Sequence, residues 1–398
     1  MPTYNFDEII PRKGTNCVKH DALMANFGSD DLLPMWVADN DFRSPDFVMQ
    51  AIRERAQHEV LGYAVPSKGY HTAVLNWLKN HYRIEADKSQ LHFVPGIVAG
   101  ISFAIQALTR EGDGILITTP VYPPFVHLPQ GSHRQLVCST LKEEGGRFVL
   151  DFDDLEQKAP ACRLMILSNP HNPVGTVWSE SDLRKIADLC QRHHLVLISD
   201  EIHADLTLPK APLRHSSFST VSEVAALCSI TFIAPSKTFN IAGLGSSIAY
   251  VPNDELRAQF FGYLDTYEVA LGNIFAYVGA EAAFAHGEDW LRQLLDYLQG
   301  NVDFMRQYLE EHLPRVKAML PEASYLAWLD FSDYGMSHEL LRSRLINEAK
   351  VALNDGTTFS PFPDDPQTQC RFRLNLGCPR ATLKEALDRI AAMLSSAQ

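Results

Sequence analysis

The sequence predicts an α/β protein built on a mainly parallel sheet that helices cover on both faces, together with a smaller α+β unit. Two observations in the 398 residues lead to this prediction. Between residues 91 and 251, short apolar runs rich in β-branched residues alternate with segments of helical spacing, which is typical of parallel strands buried on both faces. Beyond residue 254 the pattern becomes long and helical, as expected of a segment that connects two domains.

The elements follow from the apolar pattern in chain order. Residues 1–45 are rich in proline and aspartate, and we expect them to wrap the body without regular structure. Strands are predicted at residues 91–94, 114–118, 164–167, 195–199, 231–233, 247–251, 325–331 and 371–376. Helices are predicted at residues 98–108, 180–193, 337–350 and 382–395, and along much of 254–312. We therefore divide the chain into an N-terminal arm or small-domain segment at 1–45, a large α/β domain at 46–285 and a small α+β domain at 286–398.

The composition excludes several classes of function. A formal net charge of −13 argues against a nucleic-acid partner and against an anionic membrane, because both favour basic surfaces. The seven cysteines are scattered without a CxxC pair, so we expect reduced thiols in a cytoplasmic protein and neither a disulfide framework nor a metal site. The start of the chain lacks the pattern of a secretory signal, and no apolar run reaches membrane-spanning length.

Lys237 is the residue that the local sequence singles out. An apolar strand leads to it, and Ser236 and Thr238 flank it in a short turn that a glycine-containing segment leaves. Burial lowers the pKa of a lysine toward the neutral amine, which can attack a carbonyl. Because most lysines are solvated surface residues, a catalytic role depends on what the neighbouring loops contribute.

Loops after other predicted strands each offer a group to a ligand, and doubly wound sheets bind ligands where their parallel strands end. The amides of Ile97 and Val98 begin a helix and form a seat for an anion. Tyr122 stands among prolines in a position to stack on a ring. Asn172 lies in a proline-flanked loop, and Asp200 ends a strand with a carboxylate. Together with Lys237, these groups meet the demands of pyridoxal 5′-phosphate, which needs a lysine, a carboxylate, a ring stacker and a phosphate seat.

Five motifs occur in one order along the chain: Met-Trp-Val-Ala-Asp at 35–39, Asn-Pro-His-Asn-Pro-Val-Gly at 169–175, Asp-Glu-Ile-His at 200–203, Ser-Lys-Thr-Phe-Asn at 236–240 and Asn-Leu-Gly-Cys-Pro-Arg at 375–380. In them the chain resembles the fold-type I pyridoxal-phosphate enzymes of the aspartate aminotransferase superfamily (class I/II). The resemblance runs from Leu33 to Met393 and is strongest for the cystathionine β-lyase and cysteine C–S lyase subgroup. It implies a seven-stranded sheet in the large, cofactor-binding domain.

The resemblance also implies a role for each site residue. Lys237 is expected to carry the cofactor covalently and then act as general base, with Asp200 on the pyridine nitrogen and Tyr122 on the ring. Further cofactor contacts are implied for Asn172, His203, Ser236, Ile97, Val98 and Tyr63, and substrate contacts for Arg373, Ala38, Asn172 and Tyr63. Tyr63 is expected to reach the phosphate in the neighbouring subunit, so the resemblance predicts a homodimer with shared active sites. Arg373 is expected to bind the substrate α-carboxylate in a bidentate manner, through two parallel N–H groups, and Arg371 is its rival on the same strand face.

Each of these residues also has a structural alternative. Asp200 can be a helix cap, Asn172 a brace of its loop, Tyr122 a core residue, Ser236 a turn residue, Arg373 a surface residue, and His203 purely structural. The chain departs from the transaminases at Ala234 and Gly245, where they carry a phosphate-binding serine and arginine. It departs from the lyase subgroup at Asn40, where a methionine is usual, and again at residues 360–365.

The resemblance implies a C–S β-lyase that acts on cystathionine or related cysteine S-conjugates and releases thiol, pyruvate and ammonia. An aminotransferase with the same residues is the first alternative. A regulatory protein that keeps the fold and cofactor but acts through a partner is the second. The sequence does not decide among them, because the two reactions share their machinery until the substrate's Cα proton has been removed.

Overall fold

The computed structural model describes residues 3–395. Its centre is a seven-stranded sheet whose strands, in spatial order, are Leu91–Val94, Ser247–Tyr250, Ser229–Ile233, Val196–Asp200, Cys162–Ser168, Gly114–Thr119 and Gln135–Thr140. Ser247–Tyr250 pairs antiparallel with both of its neighbours, and the other pairings in this sheet are parallel. The expected mainly parallel sheet of seven strands is therefore confirmed. The apolar pattern missed Gln135–Thr140 because this edge strand is only partly buried.

Helices cover both faces of the sheet, as predicted. Successive strand residues alternate between two apolar cores, so that Ile115 and Ile117 face one core and Leu116 faces the other. The helices of this part are Asp46–Ala56, Lys68–Tyr82, Ile97–Leu108, Pro124–Gly131, Phe152–Lys158, Glu180–His193, Glu223–Leu227, Asp254–Thr266 and Ile274–His286. A small hairpin pairs Lys142–Glu144 with Arg147–Val149. Within residues 3–395, no helix combines the length and apolar character that crossing a membrane requires.

The 25-residue helix Glu288–His312 leads into a second, antiparallel sheet. Its strands, in spatial order, are Lys317–Met319, Leu326–Asp330, Arg371–Asn375 and Asn354–Asp355. Helices His338–Asn347 and Arg380–Ser395 accompany this sheet. The strands Leu326–Asp330 and Arg371–Asn375 and both helices match predicted elements. The edge strands Lys317–Met319 and Asn354–Asp355 were not predicted, because segments of three and two residues are too short to show a periodic apolar pattern. The domain boundaries proposed at residues 45 and 285 stay a prediction.

Residues 3–45 contain more regular structure than expected. Two short helices occupy Val18–Asp21 and Leu23–Phe27, and the second ends at Gly28 with a left-handed φ of 73°. Leu33–Pro34 then pairs in parallel with Val351–Ala352. The prediction of an irregular arm was wrong for these residues, since a pairing across more than 300 positions leaves no local trace in the sequence. The arm is thereby joined to the C-terminal part of the chain.

Candidate active site

A cavity of about 260 Å³ lies where the parallel strands end, facing the second sheet. Nine of the predicted site residues line it together: Ala38, Ile97, Val98, Tyr122, Asn172, Asp200, His203, Lys237 and Arg373. Five further lining residues had been given no role in the sequence analysis: Trp36, Val37, Ser168, Ile202 and Asn354. The loops that the sequence placed at strand ends thus converge on one cavity.

Lys237 enters this cavity from the turn after strand Ser229–Ile233. Its Nζ donates a hydrogen bond of 2.5 Å to the carbonyl oxygen of Ala38. Burial lowers the pKa of Lys237 to about 8, with the positive Arg373 acting in the same direction, while Asp39 and Asp200 oppose the shift. The amine is therefore far closer to its neutral, nucleophilic form than an exposed lysine would be.

Asp200 is the last residue of strand Val196–Asp200 and is buried. One carboxylate oxygen accepts a hydrogen bond of 3.1 Å from the backbone N–H of Ile202. Burial raises the pKa of Asp200 to about 7, although this hydrogen bond and the charge of Lys237 lower it. No α-helix begins at Asp200, so a helix-capping role has no support in the structure. A buried carboxylate of this kind is stabilised when a ligand brings a cation to it.

Arg373 is held by three acceptors around the cavity. Its Nη1 donates to Asn172 Oδ1 at 2.9 Å, and its Nη2 donates to Asn354 Oδ1 at 2.6 Å and to the Trp36 carbonyl at 3.1 Å. The Arg373 Nε has no partner among the described residues. Burial lowers the pKa of Arg373 to about 10. Since Asn172 uses its oxygen on Arg373, its amide nitrogen is the group left for a ligand.

Arg371, the rival of Arg373, lies outside the cavity. Its guanidinium forms ion pairs with Glu143 at 2.9 Å and with Asp330 at 3.1 Å. Both residues are on strand Arg371–Asn375, yet only Arg373 lines the cavity. Of the two arginines, only Arg373 is therefore placed where it can contact a ligand in the cavity.

His203 and Tyr122 border the cavity from opposite loops. Burial lowers the pKa of His203 to about 3, so its imidazole is neutral, and its Nδ1 has no partner among the described residues. Burial raises the pKa of the Tyr122 hydroxyl, helped by the charge of Asp200. The Tyr122 backbone N–H donates to the Asn172 carbonyl at 3.1 Å, which fixes the two loops to each other.

The predicted anion seat lies at the start of helix Ile97–Leu108. Gly96 precedes this helix with a φ of 132°, a conformation that favours glycine, and the first helical N–H groups are free of intrahelical partners. Ser236 does not line the cavity itself, and its hydroxyl makes a long bond of 3.4 Å to the Ser246 carbonyl. The Ser246 hydroxyl is buried without a partner among the described residues. Ser246, like Ser236, does not line the cavity.

Tyr63 is not part of the cavity of its own chain. Its side chain is fully exposed, and the surrounding loop lies against residues 271–275. Its expected contribution to the site of a neighbouring subunit stays a prediction.

Asn354 lines the cavity and contacts Arg373, but the sequence analysis did not predict it as a site residue. It lies on the two-residue strand Asn354–Asp355 and is paired in register with Arg373. No motif or periodicity marks it, because its importance arises only from this pairing. Trp36, in contrast, belongs to the quoted motif at 35–39, but only its backbone carbonyl contacts Arg373.

Comparison with known proteins extends these observations. A family model described as aminotransferase class I and II matches residues 30–390. The Bacillus subtilis (strain 168) protein named cystathionine beta-lyase PatB is 42% identical over 98% of this chain and 100% of its own length. The crystal structure of a PLP-bound C-S lyase from Staphylococcus hominis has a TM-score of 0.91 at 34% identity, covering 99% of this chain and 98% of that chain. That of a PLP-bound putative aminotransferase from Clostridium difficile 630 has a TM-score of 0.94 at 38% identity, covering 98% of this chain and 100% of the other.

Proposed function

The chain belongs to the aminotransferase class I and II family, and from this premise we propose that it is a pyridoxal 5′-phosphate-dependent C–S β-lyase. Its substrates are cystathionine or related cysteine S-conjugates, and its products are a thiol, pyruvate and ammonia. The observation that carries the proposal is the meeting of Lys237, Asp200 and Arg373 in one cavity. These three side chains supply an amine, a buried carboxylate and a carboxylate-binding cation at a single place.

The residues of the cavity fit the cofactor. The buried carboxylate of Asp200 has one backbone N–H as its protein partner and is matched by a protonated pyridine nitrogen. Lys237 offers the amine, and the free amide nitrogen of Asn172 suits the phenolate oxygen. The start of helix Ile97–Leu108 suits the phosphate. When bound, pyridoxal 5′-phosphate supplies an electron sink for the bonding pair released at the substrate Cα.

The chain's own residues perform the remaining work. Arg373 binds the substrate α-carboxylate and so orients the Cα–H bond toward Lys237. The neutral amine of Lys237 then takes the Cα proton. Asp200 would keep the ring nitrogen of the bound cofactor protonated, and Tyr122, which lines the same cavity, would stack on the cofactor ring. Expulsion of a thiolate from Cβ completes the elimination, and the proton that Lys237 took from Cα is available to convert the thiolate to a thiol. The aminoacrylate that is released reacts with water to give pyruvate and ammonia.

The lyase is favoured over the aminotransferase by two observations. Ala234 and Gly245 replace the phosphate-binding serine and arginine of the transaminases, and the 42% identical relative carries the name cystathionine beta-lyase. The test is incubation of the cofactor-loaded protein with L-cystathionine and no keto acid. Pyruvate and free thiol in equal amounts are expected. Turnover only after 2-oxoglutarate or pyruvate is added contradicts the lyase and supports the aminotransferase.

Replacing Arg373 with alanine is expected to raise KM for L-cystathionine by about 30-fold or more, because the proposed bidentate, charge-assisted contact with the substrate α-carboxylate is lost. The measurement is steady-state kinetics across a range of substrate concentrations. Arg371→Ala is the matched control, since Arg371 is two residues away on the same strand but bonded to Glu143 and Asp330. A KM that rises in the Arg371 variant and stays constant in the Arg373 variant refutes the assignment.

The rate at which Lys237 reacts with an acylating reagent is expected to rise with pH over a lower pH range than that of an ordinary lysine. In the cofactor-free chain, labelling of Lys237 by acetic anhydride should rise with pH, reach half of its plateau near pH 8 and level off about one to two pH units higher, because only the neutral amine reacts. In urea-unfolded chain the rise should continue toward the ordinary lysine value of 10.5. Because the folded pKa is the lower one, the Lys237 charge destabilises the cofactor-free fold below pH 8, and the penalty fades between pH 8 and 10.5. Identical profiles for folded and unfolded chain contradict this description.

We also propose a homodimer with shared sites. The exposed apolar side chains of Val60, Leu61, Tyr63, Val65 and Leu271 stand around one surface region, and an apolar patch of this kind marks an interaction surface. Mixing the inactive variants Lys237→Ala and Tyr63→Ala under subunit exchange should restore about a quarter of wild-type activity, because half of the dimers then contain one intact site. Activity that stays at the sum of the separate variants contradicts sharing.

The seven cysteines are all free thiols, which suits the reducing cytoplasm that we propose as the location. The regulatory alternative stays a prediction, and partner binding retained by a Lys237→Ala variant is the result that favours it.

A further inference from the structure

Residues 36–40, here called the bridge segment, form irregular backbone beside the cavity. All five of their carbonyl oxygens accept hydrogen bonds from side chains elsewhere in the chain. The Trp36 carbonyl accepts from Arg373, and the Val37 carbonyl accepts from Asn375. The Ala38 carbonyl accepts from Lys237 and Tyr325, and the Asp39 carbonyl accepts from Asn375 and Lys19. The Asn40 carbonyl accepts from Asn240 and Arg12. The bridge segment has no helix or sheet ladder of its own, so these side chains fix its position.

The bridge segment joins the two ends of the proposed active site. Arg373 donates to the Trp36 carbonyl at 3.1 Å, and Lys237 donates to the Ala38 carbonyl at 2.5 Å. The Tyr325 hydroxyl shares the Ala38 oxygen at 3.1 Å. A shift of the bridge segment therefore moves an acceptor of the substrate-binding arginine and an acceptor of the reactive amine at the same time.

A cluster of four charged side chains lies next to the bridge segment, and it consists of Arg12, Lys19, Asp39 and Asp41. Arg12 contacts Asp39 at 2.8 Å and Asp41 at 2.7 Å, and Lys19 contacts Asp41 at 2.6 Å. Lys19 is fully buried and Asp41 nearly so. Burial alone favours a neutral Asp41, but Lys19, His20 and Arg12 together hold the pKa of its carboxyl well below the usual range. Asp41 is thus a permanent anion that two cations share.

The same two cations bond to the bridge segment. Arg12 donates to the Asn40 carbonyl at 3.2 Å, and Lys19 donates to the Asp39 carbonyl at 3.4 Å. The backbone N–H of Asp41 donates to the Gly377 carbonyl at 2.8 Å, which ties the cluster to the end of the strand that carries Arg373. Removing the charge of Asp41 leaves Lys19 with Asp39 as its one remaining anionic contact, at 3.9 Å.

We propose that Asp41 is a positioning residue, which through Lys19 and Arg12 holds the bridge segment and thereby places the acceptors of Lys237 and Arg373. The inference rests on the proposed function for its kinetic part. Its structural part concerns Lys237 in the chain without cofactor and can be tested separately.

The test is the Asp41→Asn variant of the full chain. With cofactor bound, kcat for L-cystathionine, expressed per bound cofactor, is expected to fall by about tenfold or more, because misplacement of the base by a fraction of an ångström is costly. Without cofactor, acetic anhydride is expected to label Lys237 at least about threefold faster at pH 7, since the amine is held less firmly at Ala38. A purely structural role lowers the melting temperature but moves neither of these two quantities.

Asp30→Asn is the matched control, because Asp30 belongs to the same N-terminal region and pairs with Lys13 at 3.7 Å on the surface. It should leave kcat and Lys237 labelling unchanged. Where the Asp41 variant fails to fold, Arg12→Gln decides, since it removes one of the two cations through which Asp41 acts on the bridge segment and leaves Asp41 paired with Lys19. For it we expect a threefold or greater loss of kcat and faster labelling of Lys237. Unchanged kcat and unchanged labelling in the folded variant overturn the proposal.

The proposal and the proposed function can fail independently. If the wild-type chain does not turn over cystathionine, the lyase assignment fails, while the labelling rates of Lys237 still support or overturn the role of Asp41.

Discussion

Replacing Lys237 with alanine is expected to lower turnover of L-cystathionine by about 10⁴-fold and to remove the visible absorbance of bound cofactor. The substitution removes both the amine that holds the cofactor and the base that takes the Cα proton. No other lysine lines the cavity, so within the described chain no second amine can take over. The measurement combines an absorbance spectrum with pyruvate formation, each normalised to protein concentration.

Lys79→Ala is the control for this variant, because Lys79 is exposed on helix Lys68–Tyr82 and pairs only with the exposed Glu85. It should keep wild-type turnover and absorbance. A Lys237→Ala protein with more than a tenth of wild-type turnover is incompatible with the proposed role.

Asp200→Asn is expected to lower kcat by about a hundredfold to a thousandfold while the protein still binds part of its cofactor. The amide has nearly the shape of the carboxylate but cannot keep the ring nitrogen protonated, so the electron sink is weakened in the transition state. In the cofactor-free chain, burial already holds the pKa of Asp200 near 7, which means that its ionised form depends on a cationic partner. The measurement is single-turnover kinetics with saturating substrate, together with titration of bound cofactor.

Asp205→Asn provides a matched comparison for a second buried aspartate. Burial also raises the pKa of Asp205, but its carboxylate bonds to Trp77 and Thr238 and lies outside the active-site cavity. We expect this variant to lose stability and to keep kcat within about fivefold of wild type. If Asp200→Asn retains kcat to the same extent as Asp205→Asn, the proposed electrostatic role of Asp200 is wrong.

The sequence predicts the part of the site that comes from strand–loop junctions. Asp200 ends a buried strand, Asn172 and Lys237 follow buried strands, and parallel strands that end at one edge must bring their loops together. The local pattern therefore contains the information that decides where these groups lie. The same reasoning gave the large sheet, apart from its partly exposed edge strand at Gln135–Thr140.

The sequence does not predict contacts that join distant segments. Arg371 and Arg373 have the same spacing and the same strand face, and only the partners Glu143 and Asn172 show which of them is in the cavity. The pairing of Leu33–Pro34 with Val351–Ala352 is equally invisible in the local pattern. Such contacts depend on how the second sheet packs on the first, and no periodicity of a single segment encodes this.

The covalent role of Lys237 is tested most directly by borohydride reduction of the protein after saturation with pyridoxal 5′-phosphate, followed by peptide mapping. We expect a single phosphopyridoxyl group on the peptide that contains Lys237. The visible absorbance of the protein-bound cofactor should disappear as the label forms. Label on a different lysine, or a protein that stays colourless and unlabelled after saturation, contradicts the account.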